Sequence, residues 1–585
     1  MQQVTFDYSP TRNQQLFVEK VLECLYIGTL DSYRLRLHNP KSIIEELIHV
    51  AHQVKNNILQ RNEYVTEVSK EALTLLDSDN HALRFTSISL EYYRKLLQNA
   101  NKKASYSRII QASRLVIKDN IEYSLTLLHE LEKLLIAADK EDDYDEQTKL
   151  LSFTEYSIIE LVNLGYTKQY LYNYIRTIMV FAGGATWSFT NRFGEFKKLF
   201  FREPEEYTVI FKIDSDQFQF RELYRIDNEY IQITKRFRAI AKLSVSRQVS
   251  QYLEDNKHGK LVGLAVQSLD HYKAIDIARE RLSKDLDLYH LGFSGIRNSI
   301  DKQAAVIGKS NPDKASTAPS NYQLEGFTRG NEEIFNLMLD KVNKMKTNNV
   351  SGESIEKIYA GFRYLRMGSE ANELETKLLN YWIGLEFAFT SFVVENKTID
   401  RIRTFYPVCH ALIYVRRNLF DFHKALSRLN VSLGEIEVTD DLTYLSNFHT
   451  YDKIVANSQS ILMQCRARQI QTWISNPANL ERKLHSHIEN IKWNISRLYR
   501  TRNEVVHNAA TKSNITANVS HLKYYLTFIL NSMLEFLAES PVDTDDDGSI
   551  TIEDYLIAQD IIYGSMKKEK VLDYLKVNNP IEVLF

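Results

Sequence analysis

Nineteen glycines and nine prolines in 585 residues leave few places where a helix must break. Between those breaks, apolar residues recur at helical spacing. Leu16, Val18, Val21, Leu22, Leu25 and Tyr26 outline one stripe, and the stretches over 42–59 and 123–140 repeat the pattern. From Glu155 a helix pair is expected, interrupted at Gly165. The first part of the chain therefore reads as several packed helices.

The register changes after Gly183 and Gly184. Tyr207, Val209, Phe211 and Ile213 alternate, as do Phe218 and Phe220 beyond Asp214-Ser215-Asp216, which predicts a hairpin or small sheet. Helical spacing resumes near Thr234. A stretch rich in Ser, Pro, Lys and Asn then reads as a linker. The expected division is a helical N-terminal domain over 1–182, a β-containing insertion over 183–235 and a helical continuation over 236–300. A linker over 301–330, a helical domain over 331–541 and an acidic loop with a helical tail over 542–585 complete it.

Composition excludes several classes. A hydrophobic share of 44% is too high for wholesale disorder, and Lys+Arg 73 against Asp+Glu 75 leaves no global field to attract nucleic acid or an anionic membrane. No run of about 18 apolar residues predicts a spanning helix. The opening residues lack the basic and apolar regions of a secretory signal, so a cytoplasmic location and no membrane partner are expected. Cys24, Cys409 and Cys465 are too scattered for a disulfide framework or a cysteine zinc site. Gly308-Lys309-Ser310 lacks the earlier glycine of a phosphate-binding loop, Gln303 standing in its place. Cys409-His410 reads as a half-buried core pair, and His485 and His487 as surface groups.

One segment carries chemistry. With Leu498 as origin and about 100° per residue, Ile491, Ile495, Leu498, Val505 and Val506 share one arc, and Arg502 falls inside it at about 40°. A guanidinium there needs a partner or an opening. Asn503 and His507 lie four apart and could address one small ligand. An arginine, an amide and a histidine on successive turns suit holding and cleaving a phosphodiester; a helix-end arginine beside a late-turn histidine is the plainer alternative.

These same residues carry a resemblance. Tyr499-Arg500-Thr501-Arg502-Asn503-Glu504-Val505-Val506-His507 resembles the Arg-Asn-x-x-x-His signature of HEPN domains, in particular the Apea-like branch. Four residues stand between Arg502 and His507, and Asn503 fills the polar slot. The likeness extends upstream to the segment over 373–392, similar to the branch's first long helix, and covers about 372–537, under a third of the chain. On that helix, with Leu378 as origin, Glu386 falls at about 80° inside the apolar arc of Leu379, Trp382, Leu385 and Phe389. Glu386 is expected either to orient Arg502 or to reach water from the arc's edge. A second run, Arg417-Asn418 followed by His423, has a tolerated spacing but comes early in the bundle and holds Asp421 where the motif is usually apolar.

The resemblance implies a metal-independent endoribonuclease that acts as a homodimer, with both motifs lining a shared cleft. Arg502, Asn503 and His507 would be catalytic, with Glu386, Tyr499 and Arg500 in support. Toxin or antiviral defence work is implied, with the N-terminal region or a partner protein as restraint and a phage-derived trigger as release. RNA as partner agrees with a local excess of cations: Arg466, Arg468, Arg482, Lys483, Lys492, Arg497, Arg500 and Arg502 outnumber Glu481, Glu489 and Glu504. Trp473, Trp493 and Tyr499, interleaved among them, would stack on bases if exposed and otherwise pack in the core. The competing class is a non-catalytic HEPN-like module for RNA binding or dimerisation.

The stretch over 543–554 resembles an EF-hand calcium loop, with Asp543, Asp545, Asp547, Ser549 and Asp554 at ligand positions, Gly548 at the turn and Ile550 as anchor. Asp554 replaces the usual glutamate at position twelve, as in dockerin-type loops. Structural calcium and a solvated turn capping the helix near Ile552 are both open; no cofactor is expected for catalysis. The fold class expected is mainly α and multidomain: helical, with a small β-containing insertion and a C-terminal HEPN-type helical bundle.

Overall fold

The computed structural model describes all residues except 1–3, 29–37, 60, 79–81, 138–143, 182–186, 216–219, 239–245, 289–297, 311–314, 327–331, 392–396, 439–441, 509–514, 540 and 566–585, and except the side chains of Ser78, Tyr144, Ile334, Pro477, His507 and Asn508. The protein is mainly α-helical with one five-stranded sheet. It forms two compact units, one of Met1–Cys24, Gly28–Ile159 and Glu325–Phe585, the other of Leu25–Ile27 and Glu160–Leu324. Among the described residues no helix is long and apolar enough to cross a membrane.

The larger unit is all helical. The expected stripes form α1 (Arg12–Leu25), α2 (Pro40–Lys55) and the Tyr123–Ile136 helix; α3 (Glu63–Ser78) lies between the second and third, and α4 (Tyr144–Leu164) follows them. Asn39 and Ser42 close a capping box at the start of α2. After the sheet-bearing unit come α5 (Gly352–Glu370), α6 (Leu374–Phe389), α7 (Thr398–Arg428), α8 (Ile461–Ser475), α9 (Pro477–Asn508), α10 (Thr516–Glu539) and α11 (Ile552–Gly564). Helix α10 is the centre of this unit: Val519, Leu522, Tyr525, Leu526, Ile529, Met533 and Leu534 are all fully buried. Helices α5 and α6 approach closely at Gly368, where an added Cβ would lie 2.3 Å from the Tyr381 ring.

The smaller unit holds a sheet in the order β2-β3-β1-β4-β5, antiparallel throughout, from β1 (Glu205–Asp214), β2 (Tyr230–Gln232), β3 (Lys260–Ser268), β4 (Ser299–Gly308) and β5 (Ser316–Pro319). Alternation sorts β1 between two layers. Val209 and Phe211 pack with Ala274, Ala278 and Leu282 of the His271–Asp287 helix, while Ile210 packs with Val249 and Leu253 of the Arg247–Asp255 helix. Gly165, at φ +116°, separates two helices as expected, in a conformation that favours glycine.

Four expectations change here. The helical continuation over 236–300 holds the strand β3, which pairs with both β1 and β2. The linker over 301–330 contains two strands, and β4 pairs along almost the whole of β1; its first half is polar, which hid it, and only Ala304, Ala305 and Val306 are buried. Of the hairpin or small sheet expected here, β1 joins a sheet whose partners for it both come from later in the chain; Phe218 lies outside the described residues, and Phe220–Ile226 is a helix. The helical N-terminal domain expected over 1–182 is not separate, because residues up to Ile159 share one compact unit with the C-terminal helices.

Candidate functional site

Helix α9 positions the expected catalytic residues. Leu480, Leu484, Ile488, Ile491, Ile495 and Leu498 step along one face three or four residues apart, and all are buried. Beyond Leu498 the stripe fades: Val505 is half-buried and Val506 is 47% exposed, so the arc drawn through both valines ends about two turns early. Tyr499 anchors this stretch, its ring 5.5 Å from that of the fully buried Trp382 on α6.

Arg502 is half-buried and donates from Nη1 to Asn503 Oδ1 at 3.0 Å. Its Nε–H is buried and, among the described residues, has no acceptor. Glu386 forms no ion pair with it. That carboxylate sits half-buried at the edge of its arc, the second of the two arrangements its wheel position allows. His507 lies in the last turn of α9, and its side chain falls outside the described residues.

The neighbouring charges have structural partners. Arg497 donates from Nε to both oxygens of Glu46 at 3.1 and 3.0 Å and from Nη2 to Glu71 at 2.7 Å. Arg500 also meets Glu46 and lies 5.6 Å from the Tyr64 ring centroid. Glu504 accepts from Gln53 at 2.7 Å and contacts His49 at 3.1 Å. Burial works to raise the Glu46 pKa, but Arg497, His38 and Arg500 outweigh it and hold the carboxyl well below the usual range. Helices α2 and α3 thus grip α9 immediately beside Arg502.

The basic excess is therefore mostly consumed inside the fold. Arg466 pairs with Glu23, Lys492 with Glu489 at 3.1 Å, and Arg482 bonds Asn479. Lys483 has no carboxylate partner among the described residues and stands 5.6 Å over the Trp473 ring. Trp473 belongs to the core, at 9% exposure.

The second Arg-Asn run is dispersed among different partners. Arg417 donates to Tyr524 Oη at 2.5 Å, Asn418 to the Tyr414 carbonyl at 2.7 Å, and His423 contacts Tyr444 Oη at 2.8 Å. Its neighbourhood holds a network that the sequence reading missed. His410 Nδ1 lies 2.8 Å from His487 Nε2, and its Nε2 lies 2.9 Å from Tyr524 Oη. His487 is buried, not a surface group, and its ring stacks 4.0 Å from that of Tyr414. His410 is fully buried, not half-buried. Burial pushes the His487 pKa down to about 3 and that of His410 well below its ordinary value, so both are neutral. Position 487 falls within the Leu484–Ile488–Ile491 stripe, the signal that could have found it.

In the acidic loop, Asp543, Asp545 and Asp547 place carboxylate oxygens within 4.8 Å of one another. Ser549 donates its backbone N–H to Asp547 at 2.8 Å. Asp554 is not aimed at them. Its Oδ1 accepts from Thr544 N at 2.8 Å and its Oδ2 from Thr551 N at 2.8 Å, closing a capping box at the start of α11. Burial acts to raise its pKa, yet the hydrogen bonds from Thr544 and Thr551 prevail and lower it. The twelfth-position carboxylate here caps the helix, and the close cluster is formed by the three earlier aspartates. Ile550 bridges Val350, fastening the loop to the start of α5.

Compared with known proteins, the chain matches no family model, no curated protein and no solved structure.

Proposed function

We propose that the protein is a metal-independent endoribonuclease of HEPN type, with Arg502, Asn503 and His507 at the end of α9 as its catalytic group. The observation that carries this reading is the state of Arg502. Its guanidinium is steered by Asn503 and, among the described residues, keeps one buried donor unfilled, whereas Arg497 and Arg500 beside it are committed to Glu46. An unfilled buried donor costs about 1–3 kcal/mol, a deficit that a phosphate oxygen would remove.

RNA carries its own nucleophile, so the residues need only position it, move protons and neutralise charge. The 2′-oxygen forms a bond to phosphorus and the P–O5′ bond breaks, leaving a 2′,3′-cyclic phosphate and a 5′-hydroxyl. His507 would exchange protons with the 2′-hydroxyl and the departing oxygen, Arg502 would neutralise the phosphorane, and Asn503 would hold Arg502 in place. In this reading two copies face their α9 ends across one cleft, in the cytoplasm, as a toxin or defence effector. The grip of α2 and α3 on Arg497, Arg500 and Glu504 supports an N-terminal restraint, which a regulatory protein or phage-derived trigger would release.

The same grip favours a second reading, a non-catalytic HEPN-like module for RNA binding or dimerisation in which α9 is wholly structural. Incubating the protein and its His507→Ala variant with end-labelled RNA in EDTA separates them. The enzyme loses cleavage in the variant while retaining binding; the module shows no cleavage in either form.

A further inference from the structure

A cavity of about 410 Å³ opens inside the larger unit beside α9, upstream of Arg502. That volume lies within the range of small-molecule sites, roughly 300–1,000 Å³. Lys483, Ser486, Asn490, Asn494 and Arg497 line it, spaced three or four apart so that one face of the helix forms the wall. Ser486 and Asn490 are exposed and mark the mouth, while Asn494 is 5% exposed and marks the floor.

The floor has an unmet demand. Asn494 donates from Nδ2 to Tyr525 Oη at 2.7 Å and lies 3.0 Å from His521 Nδ1, yet its Oδ1 is buried with no partner among the described residues. A buried amide edge left open beside a cavity asks for a polar ligand atom. The mouth has an unmet charge. Of the wall's cations, Lys20 pairs with Glu155 at 2.7 Å, Arg497 with Glu71 and Arg466 with Glu23, which leaves Lys483 without a carboxylate among the described residues. Two indoles, Trp473 and Trp493, also line the cavity.

An amide edge, aromatic rings and a cation lining one cavity fit one chemical class. We propose that this cavity binds a nucleotide, its base inward beside the tryptophans and Asn494 and its phosphate outward at Lys483. The unit is either a free mononucleotide or one residue of an RNA strand. The site is separate from Arg502, and the inference does not depend on the ribonuclease reading.

The test is titration of the full-length protein with AMP, GMP, CMP and UMP, read by calorimetry and by quenching of tryptophan fluorescence. A strand arm uses a short single-stranded oligoribonucleotide with the His507→Ala protein. Saturable binding of a mononucleotide supports a free ligand, and binding of the strand alone supports an RNA residue. In either case Lys483→Ala, a half-exposed position that leaves the core intact, weakens binding by roughly 10- to 100-fold, the loss of one charge-assisted contact. The same substitution leaves binding of the matching nucleoside unchanged. No response from any mononucleotide or the strand by folded protein overturns the proposal. So does inorganic phosphate binding as tightly as a nucleotide, or unchanged affinity in Lys483→Ala.

Discussion

Arg497 and Glu46 stand 451 positions apart in the chain and meet through both carboxylate oxygens, with Nε–O distances of 3.1 and 3.0 Å. Arg500, one turn further along α9, shares the same carboxylate. One half-buried acid on α2 thus neutralises two buried cations next to the proposed catalytic group.

Removing that acid has two consequences. Glu46→Gln leaves Arg500 without its counter-ion and Arg497 with Glu71 alone, and breaking a buried pair costs about 3–5 kcal/mol. The urea midpoint should fall accordingly. If the N-terminal helices restrain α9, RNA cleavage per folded molecule should rise in this variant; a midpoint within error of the parent removes Glu46 from the account.

The buried histidines make stability depend on pH. His410 and His487 have folded pKa values below the ordinary 6.5, that of His487 near 3. The unfolded chain therefore binds protons that the folded one refuses. Stability is fully present above about 6.5 and declines as pH falls, by at most roughly 1.4 kcal/mol per pH unit for each histidine, until the folded value is reached. Buried Asp270, its carboxyl pushed up to about 6 by burial, acts in the opposite sense in the other unit. Comparing urea midpoints at pH 7.5 and 5.5 for the parent and His487→Gln isolates the histidine term. The variant should lose less between the two pH values, and an equal loss would count against it.

Asp554 gives a prediction that separates a cap from a calcium ligand. Asp554→Ala removes the acceptor for the backbone N–H groups of Thr544 and Thr551. Loss of such a cap costs about 0.5–2 kcal/mol. Thermal melts should show the same decrease in EDTA and in millimolar calcium. A decrease confined to calcium would make Asp554 a ligand.

Much of the helical architecture is legible in the sequence, because stripes such as Leu16 to Leu25 and Leu480 to Leu498 state both element and buried face. The sheet is less so. Strand β1 alternates cleanly, but β4 is polar over half its length and its pairing is set by β1, some 90 residues earlier. The site divides the same way. The crowding of Tyr499, Arg502 and Asn503 near the end of one helix follows from spacing, whereas the partners of Arg497, Arg500 and Glu504 come from residues 46 to 71, where they read as ordinary surface charges. Glu386 shows the limit of wheel arithmetic: an angle of about 80° places a residue at the edge of a buried arc, and the edge admits water.

The most direct measurement is cleavage of end-labelled RNA in EDTA by three proteins: the parent, Glu46→Gln, and Glu46→Gln combined with His507→Ala. The account predicts 2′,3′-cyclic phosphate ends from the parent, more from Glu46→Gln, and none once His507 is gone. Silence from both the parent and the released variant, or undiminished cleavage without His507, would contradict it.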